Sequence, residues 1–262
     1  MSLKDSNSRR HDFYAALKSA ERTMPQADDK LSLKLTPDQW QQQNKDQYNQ
    51  RLTELTRAAL GGEDVVSFFK AHLLAQKAVF LEPTSRAKIL PTIASHLSSE
   101  SDSSNANEAP HQPRLLSGDN PFIHQLKAAS KDSDELLPVI LNAATTPLEA
   151  LKEGEPDCIS TAEAGAAESG TLILVSGPEN PTPLNFLARR HIVLIKKNKI
   201  FAAYEEALAE IDSQSRKQGS KTEPAIPRTI NMISGPSRTA DIEQTLTLGA
   251  HGPVELIIVI YE

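Results

Sequence analysis

Four short apolar runs restrict the fold more than any other feature of the chain. They are Thr171 to Val175 (TLILV), His191 to Lys196 (HIVLIK), Thr229 to Ile233 (TINMI) and Glu255 to Ile260 (ELIIVI). Breakers follow two of them directly, Ser176-Gly177-Pro178 and Ser234-Gly235-Pro236-Ser237. Unbroken apolar runs of this length are the pattern of strands buried on both faces. Helical patterns lie between them, as in Ala202 to Ser213, where Leu208 and Ile211 share a face. Strands alternating with helices predict an α/β fold on an open, mainly parallel, Rossmann-like sheet.

The front of the chain reads differently. Residues 1 to about 10 are polar and form a loose tail. Asp12 to Arg22 suits a short helix. Thr36-Pro37-Asp38-Gln39 is a helix start, with Thr36 as cap, Pro37 in the first turn and Gln39 reaching back. The helix that follows carries Tyr48, Leu52, Leu55 and Ala59 and stops at Gly61-Gly62. Trp40 near its start reads as a packing anchor. Asp64 to Ala78 forms another helix. The expected division is 1–62, an N-terminal helical extension with a loose tail, and 63–262, an α/β domain. Within that domain Val79 to Leu81 is a first strand and Arg86 to Leu97 a helix. Leu136 to Leu141 is a strand or a helix, with Pro138 arguing against a central strand. Asp157 to Ser160 is a weak strand. Two polar stretches, about 98–113 and 213–227, are expected to be mobile loops.

Composition removes several function classes. The net charge of −6, with no block of Lys and Arg, argues against nucleic-acid binding. The lone cysteine, Cys158, cannot form an internal disulfide or ligate an iron–sulfur cluster by itself. It fits a reducing, cytoplasmic setting and reads as a small buried hydrophobe. The seven histidines lack metal-ligand spacing, so no metal site is expected. MSLKDSNSRR has no apolar signal region, and Leu256 to Ile260 is too short to span a bilayer.

Two loops carry the candidate chemistry. The first is Ser234 to Asp241, between the run ending at Ile233 and an expected helix from about Thr239, on whose face Ile242 and Leu246 stand four apart. Backbone N–H groups of Ser234, Gly235, Ser237 and Thr239 at such a helix start form a natural anion site. Arg238 adds a planar fork for carboxylate or phosphate. Asp241 favours the helix N-terminus, partly cancels an anion site, and can instead orient Arg238. The same pattern also serves a capped β–α turn with a surface Arg. The second loop, Ser160 to Gly170, carries Glu163 and Glu168 among small residues and leads into Thr171. A desolvated Glu there is a candidate acid, base or nucleophile; solvated loop carboxylates or helix caps are the alternative. His251, between Gly249 and Gly252, is a candidate acid or base, or a turn residue bonded to a carbonyl. His191, heading an apolar strand, reads as a satisfied edge histidine.

GAAESGTLILVSGP, RRHIVLI and ISGPSRTADIEQTLTLGAHGP, in that order and spacing, resemble the LUD domain of lactate utilization proteins. The resemblance is strongest from about Cys158 to Glu262 and is not evident before about residue 60. It implies a fold of the NagB, RpiA and CoA-transferase group. It also implies a non-redox subunit in L-lactate oxidation to pyruvate, with iron–sulfur clusters in two partner proteins and no cofactor on this chain. The resemblance supplies no catalytic residue; by residue chemistry a substrate carboxylate would pair with Arg238, with Glu163, Glu168 and Thr171 facing that loop across the carboxyl ends of the strands. The same fold group also admits an independent CoA-transferase-like or sugar-phosphate-isomerase-like enzyme using Glu168 or Glu163.

Overall fold

The computed structural model describes residues 64–99, 112–131, 133–146, 157–218, 227, 229–240, 246–249 and 251–262, with positions 47, 50, 51, 53, 54, 56–58, 60 and 62. The expected helix at Asp12 to Arg22, the Thr36 cap and Trp40 lie outside the described residues, as does most of the expected 98–113 loop. Helical backbone is present at the described positions from 47 to 58. Leu60 joins the hydrophobic core, and Arg57 lies 3.6 Å from Glu206.

Six strands form one sheet, every neighbouring pair parallel: β1 Val79–Leu81, β2 Arg114–Ser117, β3 Val139–Asn142, β4 Asp157–Ala162, β7 Arg190–Lys196 and β12 Glu255–Tyr261, in the order β1-β12-β7-β4-β2-β3. The open, mainly parallel α/β sheet is thus as the sequence predicts. Pro138 directly precedes β3, which lies at the sheet edge and pairs with β2. The apolar runs alternate between two cores. Val193, Ile195, Leu256 and Ile258 enter one; Ile192, Leu194, Ile257 and Val259 enter the other.

Helix α1, Val65–Ala75, packs Phe68, Phe69 and Leu73 into the first core. Asp64 caps it by accepting from Ser67 N at 3.1 Å. The other face is covered by α2, Ile89–Ser99, and α3, Pro121–Ala129, the crossovers between β1, β2 and β3. A 3-10 turn at Arg86–Lys88 precedes α2. Asn120 caps α3, accepting from Phe122 N and Ile123 N, with Pro121 in the first turn. The short α4 covers Leu184–Leu187.

Two of the four apolar runs do not enter the parallel sheet. Thr171–Val175 (β6) and Ile230–Ile233 (β9) join β5 Ala164–Ala166 and β8 Ile200–Phe201 in a second sheet, order β8-β5-β6-β9, with β5–β6 and β6–β9 antiparallel. The reason is connection length. Four residues link β5 to β6, whereas a parallel neighbour needs a crossover of about a dozen residues. This sheet covers the first core through Leu172 and Leu174. Its other face receives α5, Tyr204–Gln218, through Ala207 and Ile211. α5 runs five residues past Ser213, into the stretch read as a loop, because its Gln, Arg and Lys residues favour helix without any apolar stripe.

Gly170 makes the β5–β6 turn possible. Its φ is +62°, and a Cβ there would lie 2.7 Å from His72 Cβ and 3.0 Å from Leu73 N. Gly170→Ala is therefore expected to destabilise the protein by about 2–4 kcal/mol in urea unfolding. A change within experimental error would mean α1 does not sit against this turn.

Candidate functional site

Thr171 and Ser234, far apart in sequence, meet. Thr171 Oγ1 is buried and lies 2.7 Å from Ser234 Oγ, 2.6 Å from the Tyr204 hydroxyl and 2.9 Å from Ser169 Oγ. The register of β6 against β9 places them together, since Leu172 pairs with Ile233. Glu168 sits beside this cluster, and its Oε1 accepts from Tyr204 N at 2.8 Å. Burial pushes its carboxyl above the ordinary range, against the lowering effect of that N–H. Glu168 thus caps the start of α5, the structural alternative raised for it above.

The Ser234 to Arg238 loop lies beside the last turn of α1. A Cβ on Gly235 would lie 3.0 Å from Gln76 Cβ, and Arg238 Nη2 donates to Gln76 O. A guanidinium is well placed at such carbonyls, where the helix presents partial negative charge. Ser237 N donates to Pro253 O at 2.8 Å, and Gly249 N donates to Ser237 O at 3.1 Å.

The helix expected from Thr239 is not formed there. Arg238–Ala240 (β10) pairs antiparallel with Leu246–Leu248 (β11), Thr239 opposite Thr247. The alternation of Thr and Leu in 245–248 is a period-two pattern, which outweighs the single four-residue spacing of Ile242 and Leu246. A helix N-terminus therefore does not contribute to anion binding at Arg238 or Thr239. Asp241 lies outside the described residues.

The two loops do not share the carboxyl rim of the main sheet. α1 runs down to β1, and Pro253 runs into β12, so Gln76, Ser237 and Pro253 mark the amino edge. Glu163 follows the last residue of β4 at the carboxyl edge, its N–H donating to Ile173 O at 2.9 Å. Burial first, then Glu179, raises its carboxyl pKa against the pull of Lys199. A raised acid favours the folded state when protonated, so that stability declines as pH rises above about 4.5. Glu163→Gln should raise the melting temperature at neutral pH, with a gain that shrinks below about 4.5. A pH-independent difference would place this carboxylate in solvent.

His251 is exposed and lines a cavity of about 210 Å³ at the amino edge, with Asn185, His191, Asn231, Ser237 and Leu256. His191 is not an edge residue. It is fully buried in β7, between β12 and β4, with Nε2 3.0 Å from Ser160 Oγ. Burial pushes its pKa down to about 4, so the ring is neutral at pH 7.

The family model of the LUD domain matches residues 86–261. The chain belongs to the LUD domain family. An uncharacterized protein of Neisseria meningitidis serogroup B is 39% identical over 100 residues, 38% of this chain and 39% of that protein. Lactate utilization protein C of Geobacillus kaustophilus is 36% identical over 94 residues, 36% of this chain and 37% of that protein. Lactate utilization protein C of Geobacillus thermodenitrificans is 34% identical over 102 residues, 39% of this chain and 40% of that protein. Each match thus spans well under half the length of the relative. A crystal structure of a DUF162 family protein from Deinococcus radiodurans superposes with a TM-score of 0.49 at 15% identity, over 75% of this chain and 95% of that one.

In this LUD domain the cysteine is chemically quiet. Cys158 is fully buried, and desolvation, then Asp157, pushes its thiol up to about 12. The polar groups that sequence reasoning missed are Tyr204, which joins the Thr171 cluster, and Asn231, inside a strand read as apolar. The signal for Asn231 was its lone amide within TINMI, a run that otherwise has no reason to carry one.

Proposed function

We propose that this LUD domain chain is a non-redox subunit of an L-lactate utilization system, acting beside iron–sulfur proteins that hold the redox centres. The observation that carries the reading is membership of the family together with likeness to lactate utilization protein C of two Geobacillus species. A single thiol, buried and held protonated, supports placing the clusters on partners. The reading locates the protein in the reducing cytoplasm; among the described residues no helix is long and apolar enough to cross a membrane. Small-anion recognition falls to the loop of Ser234, Gly235, Ser237 and Arg238, with Thr171 behind it. Deleting the gene should abolish growth on L-lactate but not on glucose, and the intact chain supplied in trans should restore it. Undiminished growth on L-lactate would refute the role.

A second reading draws on Glu163. It is half-buried, carries a raised pKa and stands at the carboxyl edge, where ligands bind in open α/β sheets. An independent enzyme of the CoA-transferase type would use it as nucleophile, since Glu168 is engaged with Tyr204 N. Incubation with acyl-CoA should then leave a glutamyl adduct visible by mass spectrometry. Absence of any adduct across common thioesters rejects that enzyme.

A further inference from the structure

The cavity at the amino edge contains an unmet hydrogen-bonding demand. His191 Nδ1 and Asn231 Nδ2 are buried and have no partner among the described residues. Both residues flank the same space; His191 is 0% exposed and both nitrogens are shielded, so a ligand oxygen reaches them only when the side chains over them shift. Buried polar groups are nearly always paired, so two unpaired ones in one cavity are a departure from ordinary packing.

Both atoms are suited to donate. An amide nitrogen carries only donors. His191 Nδ1 donates in the tautomer in which Nε2 accepts from the Ser160 hydroxyl 3.0 Å away, and a carboxylate in the cavity selects that tautomer. The complementary group is an acceptor with more than one oxygen. The other walls are Met232, Ile233, Pro253 and Leu256, suited to a short carbon chain. His251 stands exposed among the lining residues. The volume of about 210 Å³ equals the liquid share of about seven waters, room for a three-carbon acid.

We infer that this cavity binds a small carboxylate, whose oxygens accept hydrogen bonds from Asn231 Nδ2 and His191 Nδ1 while its carbon chain lies against Pro253 and Leu256. The choice of an α-hydroxy or α-oxo acid rests on the lactate reading; the donor pair does not. Gly235 and Ser237 also line the cavity, so the anion-recognition loop forms one of its walls. Arg238 is docked on α1 and is not among the lining residues.

Titration calorimetry of the full chain with L-lactate and with pyruvate tests this, with lactamide as the uncharged control. One of the acids should bind and lactamide should not. Asn231→Asp keeps the shape but replaces the donor with a negative charge, and it should weaken binding about tenfold or more. His191→Phe should weaken it comparably, with circular dichroism confirming that both variants fold. Binding of neither acid overturns the inference, as does equal binding by a folded Asn231→Asp protein. Loss of growth on L-lactate in the deletion strain without binding leaves the lactate role and removes the cavity site. Binding with normal growth does the reverse.

Discussion

Acidification from pH 6.5 to about 4 is expected to cost the folded state roughly 3 kcal/mol through His191 alone. The sign follows from burial. In the unfolded chain this imidazole takes up a proton below about 6.5, whereas in the fold desolvation holds it neutral until about 4. Its stabilising contribution is therefore complete above 6.5 and is lost as pH falls through that interval. Glu163 and Glu168 act in the opposite direction, because burial raises both carboxyls and favours the fold when they are protonated. Their effect is common to the wild type and to a His191 variant. His191→Gln, which retains a polar group near Ser160 but cannot titrate, should flatten the difference. Urea unfolding of both proteins across this pH range is the measurement. Parallel stability profiles would mean that His191 is hydrated or paired.

Asp157→Ala is expected to destabilise the protein by about 3–5 kcal/mol, a large share of an ordinary domain's stability. Arg190 and Asp157 are the first residues of the adjacent strands β7 and β4. Their contact is bidentate, with Nε to Oδ1 at 2.8 Å and Nη2 to Oδ2 at 2.6 Å. The side chains are only 13% and 11% exposed. Arg190 Nη1 also donates to Leu97 O, tying the pair to α2. Removing the carboxylate takes a bidentate partner from a largely buried guanidinium, and that loss of compensation for a desolvated charge is the source of the effect. Replacing both partners, Asp157→Leu with Arg190→Met, should recover most of it. A loss below about 1 kcal/mol for Asp157→Ala would show that water reaches the arginine.

The sheet was legible where burial was two-sided. HIVLIK and ELIIVI have no polar face because Val193 and Ile195 enter one core while Ile192 and Leu194 enter the other. TLILV was equally legible as a strand, but its antiparallel neighbourhood was not. Its partner is Ala164–Ala166, three small residues without an apolar signature, fixed by tertiary contact: a Cβ on Gly165 would lie 2.9 Å from Ile195 and 3.1 Å from Phe69. Residue chemistry and the rule that ligands bind at the carboxyl ends of the strands point to a meeting of the Thr171 and Ser234 stretches, but the structure makes it at the other edge of the main sheet. That edge depends on where α1 ends, and Gln76 carries no mark in the sequence of the arginine that reaches it. His191 and Asn231 became informative only once their burial was known, since an isolated polar residue in a strand does not announce whether it has a partner.

Isolating the chain with an affinity tag from cells grown on L-lactate tests whether it serves lactate oxidation without a redox centre of its own. Iron–sulfur proteins should co-elute, the eluate should reduce a dye when L-lactate is added, and the chain stripped of its partners should have neither cluster absorption nor that activity. A chain that elutes alone, or that reduces the dye by itself with its own bound iron or flavin, would contradict that role.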